Sequence, residues 1–190
     1  MEQKPDHIAS QIEQSKDAGK GLPPLEKWHP ELSGDIDIRI ARDGQWLYKG
    51  EPLAREAIVR LFSTILRREQ DGEYYLVTPV EKWRIGVEDA PLLAHTLEAE
   101  GEGESQTLTL TTNVGETLTI GEQHPLVVGT YPAGDEPRPV ITVRHGLEAR
   151  LATSAFYDLA NRVVERKLPG DSAVLGVWSG GNFYEIGQGG

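Results

Sequence analysis

Hydrophobic and polar positions alternate most cleanly over Gly34-Asp35-Ile36-Asp37-Ile38-Arg39-Ile40, where three isoleucines are interleaved with charged residues. A period of two predicts a strand with Ile36, Ile38 and Ile40 facing the core and Asp35, Asp37 and Arg39 sharing the opposite face. Asp43-Gly44 supplies a two-residue turn, and Gln45 to Lys49 reads as the return strand. After Pro52 the period lengthens. Ile58, Val59, Leu61, Phe62, Ile65 and Leu66 form a helical stripe opposite Arg60, Ser63, Thr64 and Arg67, and Arg67-Arg68 suits the negative helix end. Tyr74 to Thr78 and Trp83 to Val87 predict a hairpin around Pro79-Val80-Glu81-Lys82.

Upstream of the first strand, Ile8 and Ile12 sit one helical turn apart behind Pro5-Asp6, which predicts a short peripheral helix ended by Gly19-Lys20-Gly21. Pro23-Pro24 then forces an extended link. Downstream, Leu92 to Glu98, Thr107 to Thr112, Glu116 to Ile120, Leu126 to Val128 and Val140 to Arg144 read as strands, and residues 130–139 as a loop. A helix from about Ala152 carries Phe156, Leu159, Ala160, Val163 and Val164 on one face, and Val174 to Trp178 and Asn182 to Ile186 form a last hairpin. Residues 46–87 and 141–186 therefore share one order of strand, link, helix, glycine turn and hairpin. The fold expected is α+β, two-lobed, with two related strand–helix–hairpin units on a mainly antiparallel β framework. Its parts are a tail with a short helix over 1–22, an α+β lobe over 23–91 and a β-rich α+β lobe over 92–190.

Composition narrows the functional classes. The chain of 190 residues has no cysteine, which excludes disulfides, thiolate nucleophiles and cysteine-ligated metals. No apolar run is long enough to span a bilayer, and Met1 is followed by polar residues rather than a signal-peptide core, so a cytoplasmic protein without membrane association is expected. The 19 basic and 30 acidic residues leave a formal charge of −11, which argues against nucleic acid as partner. That charge is concentrated: residues 85–137 hold ten acids and no Lys or Arg. Such a stretch is a solvated surface or a face for a basic partner.

The runs Leu22-Pro23-Pro24, Gly34 to Ile40, Asp43-Gly44-Gln45-Trp46, Tyr75 to Lys82, Thr112-Asn113-Val114-Gly115, Arg144 to Arg150 and Val177 to Gly181 together resemble the bacterial domain-of-unknown-function family 1285. The resemblance covers nearly the whole chain after the tail. It implies a two-lobed α+β protein with repeated motifs, it brings no established activity, and it suggests ligand sensing or signalling.

The candidate chemistry centres on the Asp35/Asp37/Arg39 face. Arg39, with Arg55 or Arg144, offers planar guanidinium forks for a carboxylate or phosphate. Asp37, Trp46, Thr78 and Glu81 complete the expected ligand-binding set, with a salt-bridge lock between strand and hairpin as the structural reading of the same group. Asp37 and Glu81 also offer a carboxylate pair for hydrolysis. The five histidines show no metal-ligand spacing, Ser179 lacks a nucleophile-elbow context, and Gly19-Lys20-Gly21 lacks Walker spacing, so neither metal nor cofactor is expected. The leading expectation is a non-enzymatic module that binds a small anionic ligand, with a role in signalling. The alternatives are a hydrolase using the carboxylate pair and an interaction or oligomeric scaffold using the acidic middle.

Overall fold

Burial along the isoleucine run follows its period of two: Ile36, Ile38 and Ile40 are buried while Asp35, Asp37 and Arg39 face solvent. The computed structural model describes residues 4–15 and 21–189. They fall into two units, Met1–Pro91 with His145–Leu147, and Leu92–Arg144 with Glu148–Gly190.

The first unit opens with helix α1 (Pro5–Ser15) and a 3-10 turn at Leu25–Lys27. Ile8 and Ile12 are fully buried, which ties α1 into the unit rather than leaving it peripheral. The expected stop at Gly19-Lys20 lies outside the described residues. Strands β1 (Leu32–Ile40), β2 (Trp46–Tyr48) and β3 (Glu51–Pro52) precede helix α2 (Glu56–Thr64), and β4 (Leu66–Arg68), β5 (Tyr74–Val77) and β6 (Lys82–Val87) follow it. They form one sheet in the order β3-β2-β1-β6-β5-β4. β1 and β6 are parallel, and the other neighbours are antiparallel.

Helix α2 ends earlier than its apolar stripe predicts. The Ser63 and Thr64 hydroxyls donate to the Arg60 and Leu61 carbonyls at 2.6 Å, a local competition that weakens a helix end. Leu66, Arg67 and Arg68 then pair with Leu76, Tyr75 and Tyr74 as a strand. Nearby, Arg68 N–H donates to the His145 carbonyl at 3.0 Å. His145 has φ 49° and Gly146 has φ 76°, and a Cβ on Gly146 would sit 3.0 Å from the Arg68 carbonyl oxygen. His145 is therefore a turn residue held by its backbone.

The second unit contains β7 (Leu92–Glu100), β8 (Thr107–Thr112), β9 (Thr117–Thr119), β10 (Leu126–Thr130), β11 (Pro137–Thr142) and β12 (Glu148–Leu151). Their sheet order is β10-β11-β12-β7-β8-β9, with β7 and β12 parallel. Helix α3 (Thr153–Ala160) then leads into a separate antiparallel sheet of β13 (Val164–Lys167), β14 (Ala173–Ser179) and β15 (Asn182–Gly189). Two local readings change. Residues 130–139 are a tight connection, closed by Tyr131 N–H on the Glu136 carbonyl, rather than one long loop. Val164, placed on the helix by its apolar character, lies in β13 opposite Gly176.

The strand–helix–hairpin order recurs, as α2 followed by β4-β5-β6 and α3 followed by β13-β14-β15. The recurrence is broader at the level of sheets. In both six-stranded sheets the first meander runs from the centre outward, the second returns from the edge, and the first and last strands pair in parallel.

Ser179 holds the last hairpin in place. It is fully buried; its Oγ accepts Leu108 N–H at 2.9 Å and donates to the Ile120 carbonyl at 2.6 Å. Gln106 reinforces it, donating from Nε2 to the Trp178 carbonyl at 3.0 Å while its own carbonyl accepts Gly180 N–H. Ser179→Ala strands two buried backbone groups, each costing about 1–3 kcal/mol. Urea unfolding is expected to show a loss of about 2–4 kcal/mol; a loss below about 0.5 kcal/mol contradicts this role.

Candidate functional site

The polar face of β1 forms the floor of an open groove of about 620 Å³ in the first unit. Register places Asp35 beside Arg84 and Arg39 beside Gly86. The Arg84 Nε lies 3.3 Å from Asp35 Oδ1. Arg39 lies across β6 at Gly86, where a Cβ would make an ordinary contact with Arg39 Cγ at 3.5 Å. From that position Arg39 Nε reaches Glu88 Oε1 at 3.5 Å, and Glu88 Oε2 accepts Arg42 N–H at 2.9 Å. Both groove arginines thus have carboxylates against them. The groove also contains the carboxylates of Asp37 and Glu73, and among the described residues no cation lies against either. Its lining does not favour an anion.

Further along the sheet the charges are packed. Arg67 and Lys82 both grip Glu69, at 2.7 and 2.8 Å, and all three side chains are mostly buried. Arg67 also donates to the Leu25 and Trp28 carbonyls at 3.2 and 2.9 Å, which ties the N-terminal link to β4. Lys82 lies over the Tyr75 ring at 4.7 Å, and the Tyr75 hydroxyl donates to Asp71 at 2.5 Å. Burial alone would raise the Glu69 carboxyl, but hydrogen bonds from Lys82 and Arg67 hold it below its ordinary value. The Tyr75 hydrogen bond lowers Asp71, and the same bond raises Tyr75.

A second cavity, of about 370 Å³, lies where α1, the β2–β3 turn and the start of α2 meet. Lys4, Lys49 and Arg55 line it with Asp6, over an apolar floor that includes Leu53 and Ile58. Arg55 donates to Asp6 Oδ1 at 3.1 Å, and both side chains are largely exposed. Arg55 is the N-cap of α2 and makes no side-chain cap hydrogen bond, and Glu56 is the acid in the first turn of that helix. Lys49 and Gly50 form the two-residue turn between Tyr48 and Glu51, with φ of 51° and 81°. A two-residue turn with both φ positive favours Asn-Gly, and lysine in the left-handed region costs about 1–2 kcal/mol. The Lys49 ammonium lies 5.5 Å over the Tyr48 ring, and both residues line the cavity.

The expected site residues are therefore dispersed. Asp37 and Arg39 share the groove, and Arg55 lies in the basic cavity. Trp46 is 2% exposed and packs on Phe62 at 6.2 Å, so it is core and not a ligand contact; its indole N–H has no hydrogen-bond partner. Thr78 is buried in its turn, where Oγ1 accepts Val80 and Glu81 N–H at 3.3 and 2.9 Å. Glu81 accepts the Trp83 indole N–H at 3.1 Å. Register places Asp37 between the Asp35–Arg84 and Arg39–Gly86 pairs, about four positions along β6 from Glu81, or roughly 13 Å between backbones, and Glu81 is not among the residues that line the Asp37 groove. Arg144 belongs to the second unit, where it donates to both Glu116 oxygens at 2.5 and 2.7 Å. The sequence reading missed Lys4 and Lys49. The available signal for Lys49 was Lys-Gly between two short strand runs, a turn that forces its first residue into an unfavourable conformation.

Two units, each with a six-stranded, mainly antiparallel sheet, the first with two α-helices and the second with one among the described residues, define an α+β chain with charged surface cavities. The chain belongs to the DUF1285 family. Residues 23–90 match the N-terminal domain of that domain of unknown function, and residues 91–186 match its C-terminal domain. A DUF1285 family protein from Silicibacter pomeroyi DSS-3, solved at 2.50 Å, is 43% identical with a TM-score of 0.82, over 95% of this chain and 94% of that one. A second, from Shewanella baltica OS155 at 1.40 Å, is 29% identical with a TM-score of 0.52, over 66% of this chain and 91% of that one. No curated protein is significantly similar to the chain. Among the described residues no helix is long and apolar enough to cross a membrane.

The lowered carboxyl of Glu69 makes a pH prediction. Its stabilisation is fully present above its ordinary value of 4.5 and is lost as pH falls through the lower folded value. Glu69→Gln is expected to lose about 1–3 kcal/mol at pH 7 and to weaken less than wild type between pH 5 and pH 3. Denaturant midpoints at the three pH values check this, and parallel profiles for the two proteins contradict it.

Proposed function

We propose that the protein is a non-enzymatic binding module for a small anionic ligand, which it takes in the Lys4/Lys49/Arg55 cavity. The observation that carries this reading is the convergence of three cations from separate segments on one apolar-floored cavity, with a single carboxylate, Asp6, among them. Two helices start beside it, at Pro5 and Glu56, and helix starts favour negative charge. Arg55 supplies a planar fork, and Lys49 a compact ammonium for a second oxygen. The apolar floor favours an organic anion, such as a carboxylate or phosphate ester with a short carbon body, over a bare ion. Arg39 is less suited because Asp35, Asp37 and Glu73 line its groove, and Arg144 because its mostly buried guanidinium is taken up by both Glu116 oxygens. Reversible occupancy of this kind fits a sensing role.

Titration calorimetry at low salt with succinate and glycerol phosphate tests the reading. Saturable binding that weakens as salt rises is expected. Lys49→Asn is expected to weaken it about fivefold or more while keeping or raising the melting temperature, because Asn suits the left-handed turn. Arg55→Ala weakens it similarly, and Arg39→Ala leaves it unchanged. Absence of binding by either anion, or binding indifferent to Lys49→Asn and Arg55→Ala, contradicts the reading.

A further inference from the structure

A strand at the edge of a sheet presents a row of unpaired backbone groups, and this chain blunts most of its edges. β3 ends in Pro52, β4 carries Arg67 and Arg68, β13 carries Glu165, Arg166 and Lys167, and β9 has only three residues. β10 is different. Its run Leu126-Val127-Val128-Gly129-Thr130 contains no charge and no proline, and Val127 is 57% exposed. β10 is an edge of the six-stranded sheet of the second unit, and β15 is an edge of its three-stranded sheet. Leu126 to Val128 and Phe183 to Gly187 line an open groove of about 540 Å³. Among the described residues no backbone hydrogen bond joins the two strands across it.

The register fixes which backbone groups face outward. Thr142 N–H donates to the Pro125 carbonyl at 3.2 Å, so the ladder bonds to β11 fall at Pro125, Val127 and Gly129. The N–H and C=O groups of Leu126, Val128 and Thr130 therefore lie on the free edge. Pro137 and Pro139, opposite Thr130 and Val128, fit this phase, because no N–H is needed from them toward β10. In β15 the Gly180-Gly181 turn makes Ser179 and Asn182 a hydrogen-bonded pair, which leaves the backbone groups of Phe183 and Glu185 on the outer edge. Two open strand edges thus border one groove.

Alternating N–H and C=O groups along an edge select an extended chain as the occupant. Charge selects its sign. Glu185 lines the groove. Burial raises the Tyr184 phenol above its ordinary value, a hydrogen bond with Asn182 opposes this, and the Glu122 charge raises it further, so a second carboxylate stands close by. Among the described residues no cation lies against Glu122 or Glu185. Arg166 lies over the Phe183 ring, 5.4 Å from its centroid, and is engaged there. β10 itself belongs to the stretch 85–137, with its ten acids and no Lys or Arg. Two copies of such an edge repel each other, whereas a basic strand is drawn to it.

We infer that β10 accepts an extended basic segment of another protein as an added strand, with alternate apolar side chains of that segment against the groove and its Lys or Arg beside Glu122 and Glu185. The inference does not rest on the anion cavity, which belongs to the other unit.

The probe is a labelled heptapeptide of alternating valine and lysine, titrated with the full chain at low salt and followed by fluorescence anisotropy. Saturable binding that weakens as salt rises is expected. The same peptide N-methylated at every amide keeps its charge but donates no strand hydrogen bond, and should not bind; nor should its glutamate counterpart. Val128→Pro removes one outward N–H and no ladder bond, and should weaken binding about threefold or more. Glu185→Lys, at an exposed position, should weaken it similarly through charge, and decides the matter even where the proline disturbs the strand. Lys49→Asn should leave it unchanged, which keeps this test separate from that of the anion cavity. No saturation up to millimolar concentration overturns the inference, as does binding by the methylated or glutamate peptide or binding indifferent to Glu185→Lys. A dimer in light scattering that Val128→Pro dissociates overturns it in favour of self-pairing through β10.

Discussion

Two parallel strands cannot be joined by a hairpin, and each six-stranded sheet of this protein has such a pair at its centre. In the first unit the pair is β1 and β6; in the second it is β7 and β12. Each sheet must therefore grow outward from one central strand, cross to the far edge and return to the other. The crossing is where the units differ. In the first unit it contains α2, whose Phe62 is fully buried against the sheet core with Trp46. In the second, only the short link between β9 and β10 makes the crossing, and the helix follows β12 instead. The same central pairing thus yields two different surroundings for a cavity.

The chemistry of the first unit follows from that arrangement. Because the meander β1-β2-β3 must turn back before α2 begins, the Lys49-Gly50 turn and the start of α2 come together, with α1 beside them. The opposite outcome holds on the polar face of β1. There a parallel neighbour brings Arg84 to Asp35 and Glu88 within reach of Arg39, so strand pairing itself supplies counter-charges. Exposed ion pairs of this type contribute little to stability. The Arg67–Glu69–Lys82 cluster is different, being mostly buried and fastened to the Leu25 and Trp28 carbonyls. It is a structural lock, and its arginine is not available for a ligand.

The fold was legible wherever one face of an element met the core. The isoleucine alternation of β1, the α2 stripe and the final hairpin all express period directly. Legibility failed where tertiary pairing overrode local preference. Leu66-Arg67-Arg68 continue a helical pattern, yet their ladder with Tyr74–Leu76 and the anchoring of Arg67 make them a strand. Val164 looks like one more helical apolar position, but pairs with Gly176. The site was only partly readable because charge type is visible in sequence and partnership is not. Arg39, Arg55 and Arg144 look alike on paper, and each meets a carboxylate; burial of Arg144 and the differing cavity linings around Arg39 and Arg55 distinguish them. The groove between β10 and β15 joins two edge strands that no single period connects.

The central functional claim is that the Lys49/Arg55 cavity, and not the charged strand face, receives an anion. Amide chemical-shift mapping by NMR during a succinate titration at low salt tests it most directly. Shifts are expected to concentrate at residues 4–6, 48–50 and 54–58, with the amides of Asp35 to Arg39 unmoved. Shifts concentrated on Asp35 to Arg39 or around Arg144, or no saturable shifts at all, would contradict it.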